Sequence, residues 1–97
     1  MKSDSVFVTN GKTQPEHVEP LRAIVTACLW REPHSLREII ADLQVTSHPW
    51  ADSKRELIIC ICSALRAAMA VGLIEHNSGY LLLSSSGRKK LGKAFGL

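Results

Sequence analysis

At 97 residues, 45% of them apolar and only 5% aromatic, the chain has room for one core, and that core has to be aliphatic. No apolar run approaches the ~20 residues that span a bilayer, and the opening MKSDSVFVTNGK lacks the hydrophobic stretch of a secretion signal, so a cytoplasmic protein with no membrane partner is expected. The net charge of +3 is unevenly spread: five cations face seven anions through Asp52, whereas from Ser53 onward seven cations (Lys54, Arg55, Arg66, Arg88, Lys89, Lys90, Lys93) meet only Glu56 and Glu75. That polarity favours a polyanionic partner such as nucleic acid.

Residues 1–15 are polar and carry no helical period, and a flexible arm is expected ahead of a single domain over 16–97. Within the arm, Val6-Phe7-Val8-Thr9 before Asn10-Gly11 is a candidate strand and turn, with Phe7 a candidate tether. Pro20 suits a first helical position, where its missing N–H would have no partner anyway. Leu21, Ile24, Val25, Cys28 and Leu29 then recur at helical spacing as far as Arg31, and Pro33 stops the run.

Ser35-Leu36-Arg37-Glu38 reads as a capping box opening a second, short helix that ends near Gln44, with Leu36, Ile39, Ile40 and Leu43 as its buried stripe. The connector VTSHPWAD at 45–52 holds the breaker His48-Pro49, and Trp50 is expected to lid the core from it. Ser53-Lys54-Arg55-Glu56 repeats the capping pattern and opens a third helix over 53–71. At 100° per residue, Leu57, Ile58, Ile61, Ala64, Leu65, Ala68 and Met69 gather on one side of it, and Arg55, Ile59, Ser63, Arg66 and Ala70 form the outward stripe.

Gly72 suits a left-handed C-cap. Beyond it, Leu73-Ile74-Glu75 and Tyr80-Leu81-Leu82-Leu83 flank the polar knot His76-Asn77-Ser78-Gly79, a hairpin signature with Gly79 or Asn77 supplying positive φ. The serines at 84–86 can cap a closing helix over 86–95 that turns Leu91, Ala94 and Phe95 inward.

Little in this pattern suggests catalysis. His17, His34, His48 and His76 are scattered over a tail, two connectors and the hairpin tip, no serine or cysteine has an evident base partner, and no glycine-rich phosphate loop follows a strand. Cys60 and Cys62 lie two apart on a helix and point about 200° away from each other, so one ion cannot take both thiolates. No metal, no cofactor and no enzymatic activity are expected.

Two local strings carry a resemblance. Leu65, Met69 and Gly72-Leu73-Ile74-Glu75 are similar to the end of the recognition helix and the start of the wing in MarR- and PadR-type regulators. Gly79-Tyr80-x-Leu82-Leu83-Ser84-x-x-Gly87-Arg88-x-x-Leu91 resembles the exit strand and helix of the same group. The resemblance, over about residues 19–95, implies a mainly α fold with a small antiparallel β-hairpin (α+β): a winged helix-turn-helix with a three-helix core, a wing at 73–83 and a short C-terminal helix.

It further implies a small, sequence-specific regulator of transcription that binds double-stranded DNA as a homodimer, with the third helix in the major groove. Lys54, Arg55, Ser63 and Arg66 would meet the groove or phosphates, Arg55 best placed for a guanine edge, and Ile59 would meet a thymine methyl. Asn77, Ser78 and more weakly His76 would reach the backbone or minor groove from the wing, with Arg88, Lys89 and Lys90 as further phosphate contacts. The alternative is a winged-helix module that binds a protein partner through the apolar outer positions Ile59, Cys60, Ala67 and Ala70, with Leu82 on the hairpin.

Overall fold

The computed structural model describes residues 15–97; the candidate strand at 6–9 and Phe7 lie outside them. Helix α1 (Pro15–Ile24) runs on into a π-helical turn (Val25–Leu29), followed by α2 (Leu36–Leu43), α3 (Lys54–Ala70), the strands β1 (Ile74–Asn77) and β2 (Tyr80–Leu83), and α4 (Ser85–Phe95). The fold is mainly helical with one two-stranded antiparallel sheet. No helix among the described residues is long and apolar enough to cross a membrane.

Pro20 sits inside α1 and not at its start. Its ring is fully buried, so the hydrogen bond its nitrogen cannot make is offset by apolar packing. The expected apolar face then forms, with Leu21, Ile24, Val25, Cys28 and Leu29 all buried. Its last residues lie in a widened turn, where the Trp30 N–H reaches back five residues to the Val25 carbonyl at 2.9 Å.

The two serine-led helix starts differ. At α2 the Ser35 hydroxyl accepts from the Glu38 N–H (3.2 Å) and the Glu38 carboxylate accepts from the Ser35 N–H (2.9 Å), a complete capping box. At α3 the Ser53 hydroxyl caps Glu56 at 3.1 Å, but the Glu56 carboxylate takes the N–H of Asp52 at 2.6 Å, one residue further out than a capping box requires.

Helix α1 packs chiefly on α3, and the core is aliphatic: Ile39 and Leu43 of α2 and Leu57, Ile61, Ala64, Leu65 and Ala68 of α3 are buried against it. Leu36 and Met69, expected inside, are exposed: Leu36 is the first residue of α2, and Met69 lies at the edge of α3's apolar arc. Trp50 packs on the core from the connector, as expected, and stacks on His48 with ring centroids 4.7 Å apart.

Helix α3 stops in a Schellman motif: Gly72, at φ +80°, donates to the Met69 carbonyl and Leu73 donates to that of Ala68. In the hairpin, Asn77 pairs with Tyr80 and Ile74 with Leu83, leaving a two-residue turn. Its central residues are Ser78 (φ +54°) and Gly79 (φ +86°), both left-handed as a type I′ turn demands. The tip is thus tighter than the expected 76–79: His76 and Asn77 belong to the strand, and Ser78, not Asn77, shares the positive φ with Gly79.

The hairpin is held on two sides. His34, between the π turn and α2, exchanges backbone hydrogen bonds with Leu81 at 3.0 and 2.8 Å, giving the sheet a one-residue third rung. At the other side the Ser84 N–H donates to the Leu73 carbonyl at 3.0 Å, while the Ser84 hydroxyl donates to the Gly72 carbonyl at 2.6 Å and caps α4 by accepting from Gly87 at 2.8 Å. Gly87 presses on Leu73 so closely that a Cβ there would overlap the Leu73 carbonyl oxygen.

Helix α4 lies back along α1. Arg88 and Gly92 meet Trp30, and Phe95 lies under Arg22. Leu91 is buried and Phe95 half-buried as expected, whereas Ala94 is exposed, because the contact face runs through Gly87, Leu91 and Gly92. Replacing Gly87 by Ala forces backbone to move at the hairpin's base. Gly87→Ala is expected to lower unfolding free energy by about 1–3 kcal/mol, the cost typical of overpacking, as measured by urea denaturation; an unchanged midpoint would contradict the close approach.

Candidate nucleic-acid interface

The outward stripe of α3 follows from 3.6 residues per turn: Arg55, Ile59, Ser63 and Arg66 fall within about 80° of arc. Arg55, Ile59 and Arg66 are exposed, Ile59 to 54%, whereas Ser63 is half-buried at one edge of the arc. Lys54 is exposed at the helix start. Two positions expected on an outer apolar face turn inward: Ala67 packs on the core and Cys60 is half-buried, its thiol 3.6 Å from the Trp50 carbonyl.

The hairpin register sorts its candidates onto two faces. Glu75, Asn77, Tyr80 and Leu82 share the outer face, while His76 pairs with Leu81 on the face that carries Ile74 and Leu83 into the core. His76 and Asn77 are both exposed but present opposite sides of the ribbon. The Ser78 hydroxyl donates to the Asn77 side-chain oxygen at 3.1 Å, which leaves the two amide donors of Asn77 for an outside acceptor. Tyr80, 49% exposed across from Asn77, is a member of this surface that sequence reading passed over, because only the register places the two side by side.

The cations divide into two kinds. Among the described residues, no ion pair or hydrogen bond engages the side chain of Lys54, Arg55, Arg66, Lys89, Lys90 or Lys93, and all six are exposed. Arg88 is committed elsewhere: its guanidinium lies over the Trp30 ring, 4.6 Å from the centroid, and donates to the Trp30 carbonyl at 3.1 Å. It holds α4 to the end of the π-helical turn, while its neighbours Lys89 and Lys90 remain available. The fold thus brings the α3 candidates into one stripe and the wing candidates into one tip, and sets Lys89 and Lys90 on a separate helix.

All three cysteines are free thiols, Cys28 buried and Cys60 and Cys62 half-buried. Among the described residues, one group of His, Cys, Asp or Glu has ligand atoms close enough to share an ion: Cys28, His34 and Asp42. Comparison with family models, curated proteins and solved structures finds no match for the chain.

Burial, then the hydrogen bond and charge of Asp42, push the Cys28 thiol from 9.0 up to about 12, with Arg31 pulling the other way. The folded chain therefore holds a proton between those values that the unfolded chain releases. Cys28 contributes its full stabilisation below pH 9, and the contribution declines as pH rises toward 12. In metal-free protein, the fall in unfolding free energy over this window should be shallower in Cys28→Ala than in wild type when urea titrations are run at several pH values.

Proposed function

We propose that this chain is a winged-helix protein that binds double-stranded DNA, without a catalytic step, as a small regulator of transcription. In this reading α3 enters the major groove and the β1–β2 hairpin is the wing. The observation that carries it is the set of unpaired, exposed cations on α3 and α4 beside a rigidly anchored, polar-tipped hairpin. Free cations can replace the counterions of phosphates, and releasing those ions drives association.

The helix order supports the winged form, as do the one-residue rung at His34 and the clasp at Ser84, which together hold a short ribbon that would be marginal by itself. Along α3, Arg55 and Arg66 stand about 16 Å apart at 1.5 Å per residue, a spacing suited to a helix lying along a groove. Arg55 donates to a base edge, Arg66 and Lys54 to phosphates, and Ile59 meets a thymine methyl. At the tip, the Asn77 amide and Ser78 meet the sugar–phosphate backbone, Tyr80 packs beside them and His76 is secondary. Lys89 and Lys90 add phosphate contacts, and a homodimer would double them all.

Fluorescence anisotropy on a short mixed-sequence duplex tests this. Affinity should fall steeply with salt, and removing the phosphate-directed Arg66 and Lys89 together should lower the slope of log K against log salt by about 2, near 0.9 for each phosphate contact. Absence of binding at low salt, or a slope untouched by the double variant, would remove the proposal.

One observation favours a second reading, a protein-binding winged helix: Ile59, Val71 and Tyr80 are large apolar or aromatic side chains about half exposed along α3 and the wing. Ile59→Glu separates the two, because the position is exposed and tolerates charge. If α3 reads DNA, the variant should stay monodisperse and bind the duplex several-fold less tightly by added repulsion. If it docks on protein, light scattering should show an oligomer dissociating while duplex binding is unaltered.

A further inference from the structure

We propose that Cys28, His34 and Asp42 form a binding site for a single Zn(II)-class cation, independent of the DNA-binding reading. The three ligand atoms lie within 4.8 Å of one another. Cys28 Sγ is 3.6 Å from Asp42 Oδ2, and His34 Nε2 is 3.8 Å from the same oxygen. A tetrahedral zinc with Zn–S near 2.3 Å and Zn–N and Zn–O near 2.0–2.2 Å needs ligand–ligand edges of about 3.3–3.7 Å. Two edges are within a few tenths of an ångström of that already, and the third closes with a small side-chain movement.

The ligand state is also set by the fold. His34 Nδ1 lies 2.9 Å from the Glu32 carbonyl oxygen, which can only accept, so Nδ1 carries the proton and the Nε2 lone pair is left for a metal. A backbone carbonyl holding the distal ring nitrogen is the usual outer support of a metal-bound histidine. The His34 backbone is fixed in turn by its two hydrogen bonds to Leu81. Cys28 comes from the π-helical turn, a distortion that recurs at functional sites, and Asp42 from the last turn of α2.

Charge and exposure fit a three-ligand site. Cys28 is buried, His34 half-buried and Asp42 exposed, so the fourth position opens toward solvent on the Asp42 side and would take water. One thiolate and one carboxylate neutralise a dication. Binding forms the S–metal bond and releases the thiol proton, one per ion, to bulk water; nothing is oxidised or reduced. Arg31 and Glu38 are the other charged groups whose fields reach the thiol, and the Glu38 carboxylate is already occupied in the α2 cap.

Co(II) titration of the reduced, chelator-treated protein tests the site. One equivalent should bind with an intense thiolate-to-cobalt charge-transfer band and tetrahedral visible bands, both displaced by Zn(II). Cys28→Ser should lose the charge-transfer band, and the Cys60→Ser/Cys62→Ser double variant should keep it. Asp42→Asn and His34→Gln should each weaken binding by at least about 100-fold, the upper end of the loss caused by removing an outer-shell partner. No band in wild type, a band that survives Cys28→Ser, or a band lost with the Cys60 and Cys62 pair overturns the proposal. Should Cys28→Ser fail to fold by circular dichroism, unchanged affinity in both Asp42→Asn and His34→Gln overturns it equally.

Discussion

The clasp at Ser84 is the interaction on which the C-terminal half of the molecule depends. One serine satisfies the carbonyls that leave α3, closes the hairpin at its base and opens α4, through contacts to Gly72, Leu73 and Gly87. The Gly87 N–H is a first-turn donor of α4, and the two carbonyls lie just past the end of α3; left without partners at this junction they would be costly to bury. Because Gly87 has no side chain, α4 can start directly on the Leu73 backbone. The ribbon is thereby fixed by both of its ends, and a two-stranded hairpin gains the support it lacks in isolation.

From that junction the direction of α4 follows, and with it the division of labour among the C-terminal cations. The helix runs back along α1, where Trp30 accepts Arg88 at one end and Arg22 covers Phe95 at the other. A guanidinium stacked on an aromatic ring and bonded to a carbonyl is a packing element as much as a charge. The adjacent lysines, turned away from α1, keep the electrostatic role. A cluster that looks uniform in sequence is therefore split by the fold into one structural residue and its free neighbours.

The α1–α2 connector does comparable work on the opposite side. His34 joins the sheet through its backbone while its ring faces Asp42, so one residue couples the hairpin to the end of α2 and to the π turn. Any ligand that fixes the His34 ring would also stiffen the strand it pairs with. The stripe of α3 and the hairpin tip stand on elements braced in this way, so both surfaces are preorganised.

The sequence by itself determined the order of the elements and how most of them begin and end. Ser35 with Glu38, Ser53, the Gly72 stop and the turn before Tyr80 are local devices whose partners lie within a few residues, and so their chemistry is legible in a linear string. The helical period likewise exposed the Arg55–Ile59–Arg66 stripe. It misjudged edges and ends: Met69 and Ala94 at arc edges and Leu36 at the start of α2 point outward and Ala67 inward, since how far a helix is covered depends on what packs against it. It also placed Pro20 at a helix start, a local preference that burial of the ring overrides.

Only the tertiary structure decided the long-range pairings: Arg88 on Trp30 across 58 residues, Leu81 on His34, and the meeting of Cys28, His34 and Asp42. Their spacing along the chain follows no helical or strand period. Such contacts arise where separate elements are pressed together by a common core, and no run of residues announces them.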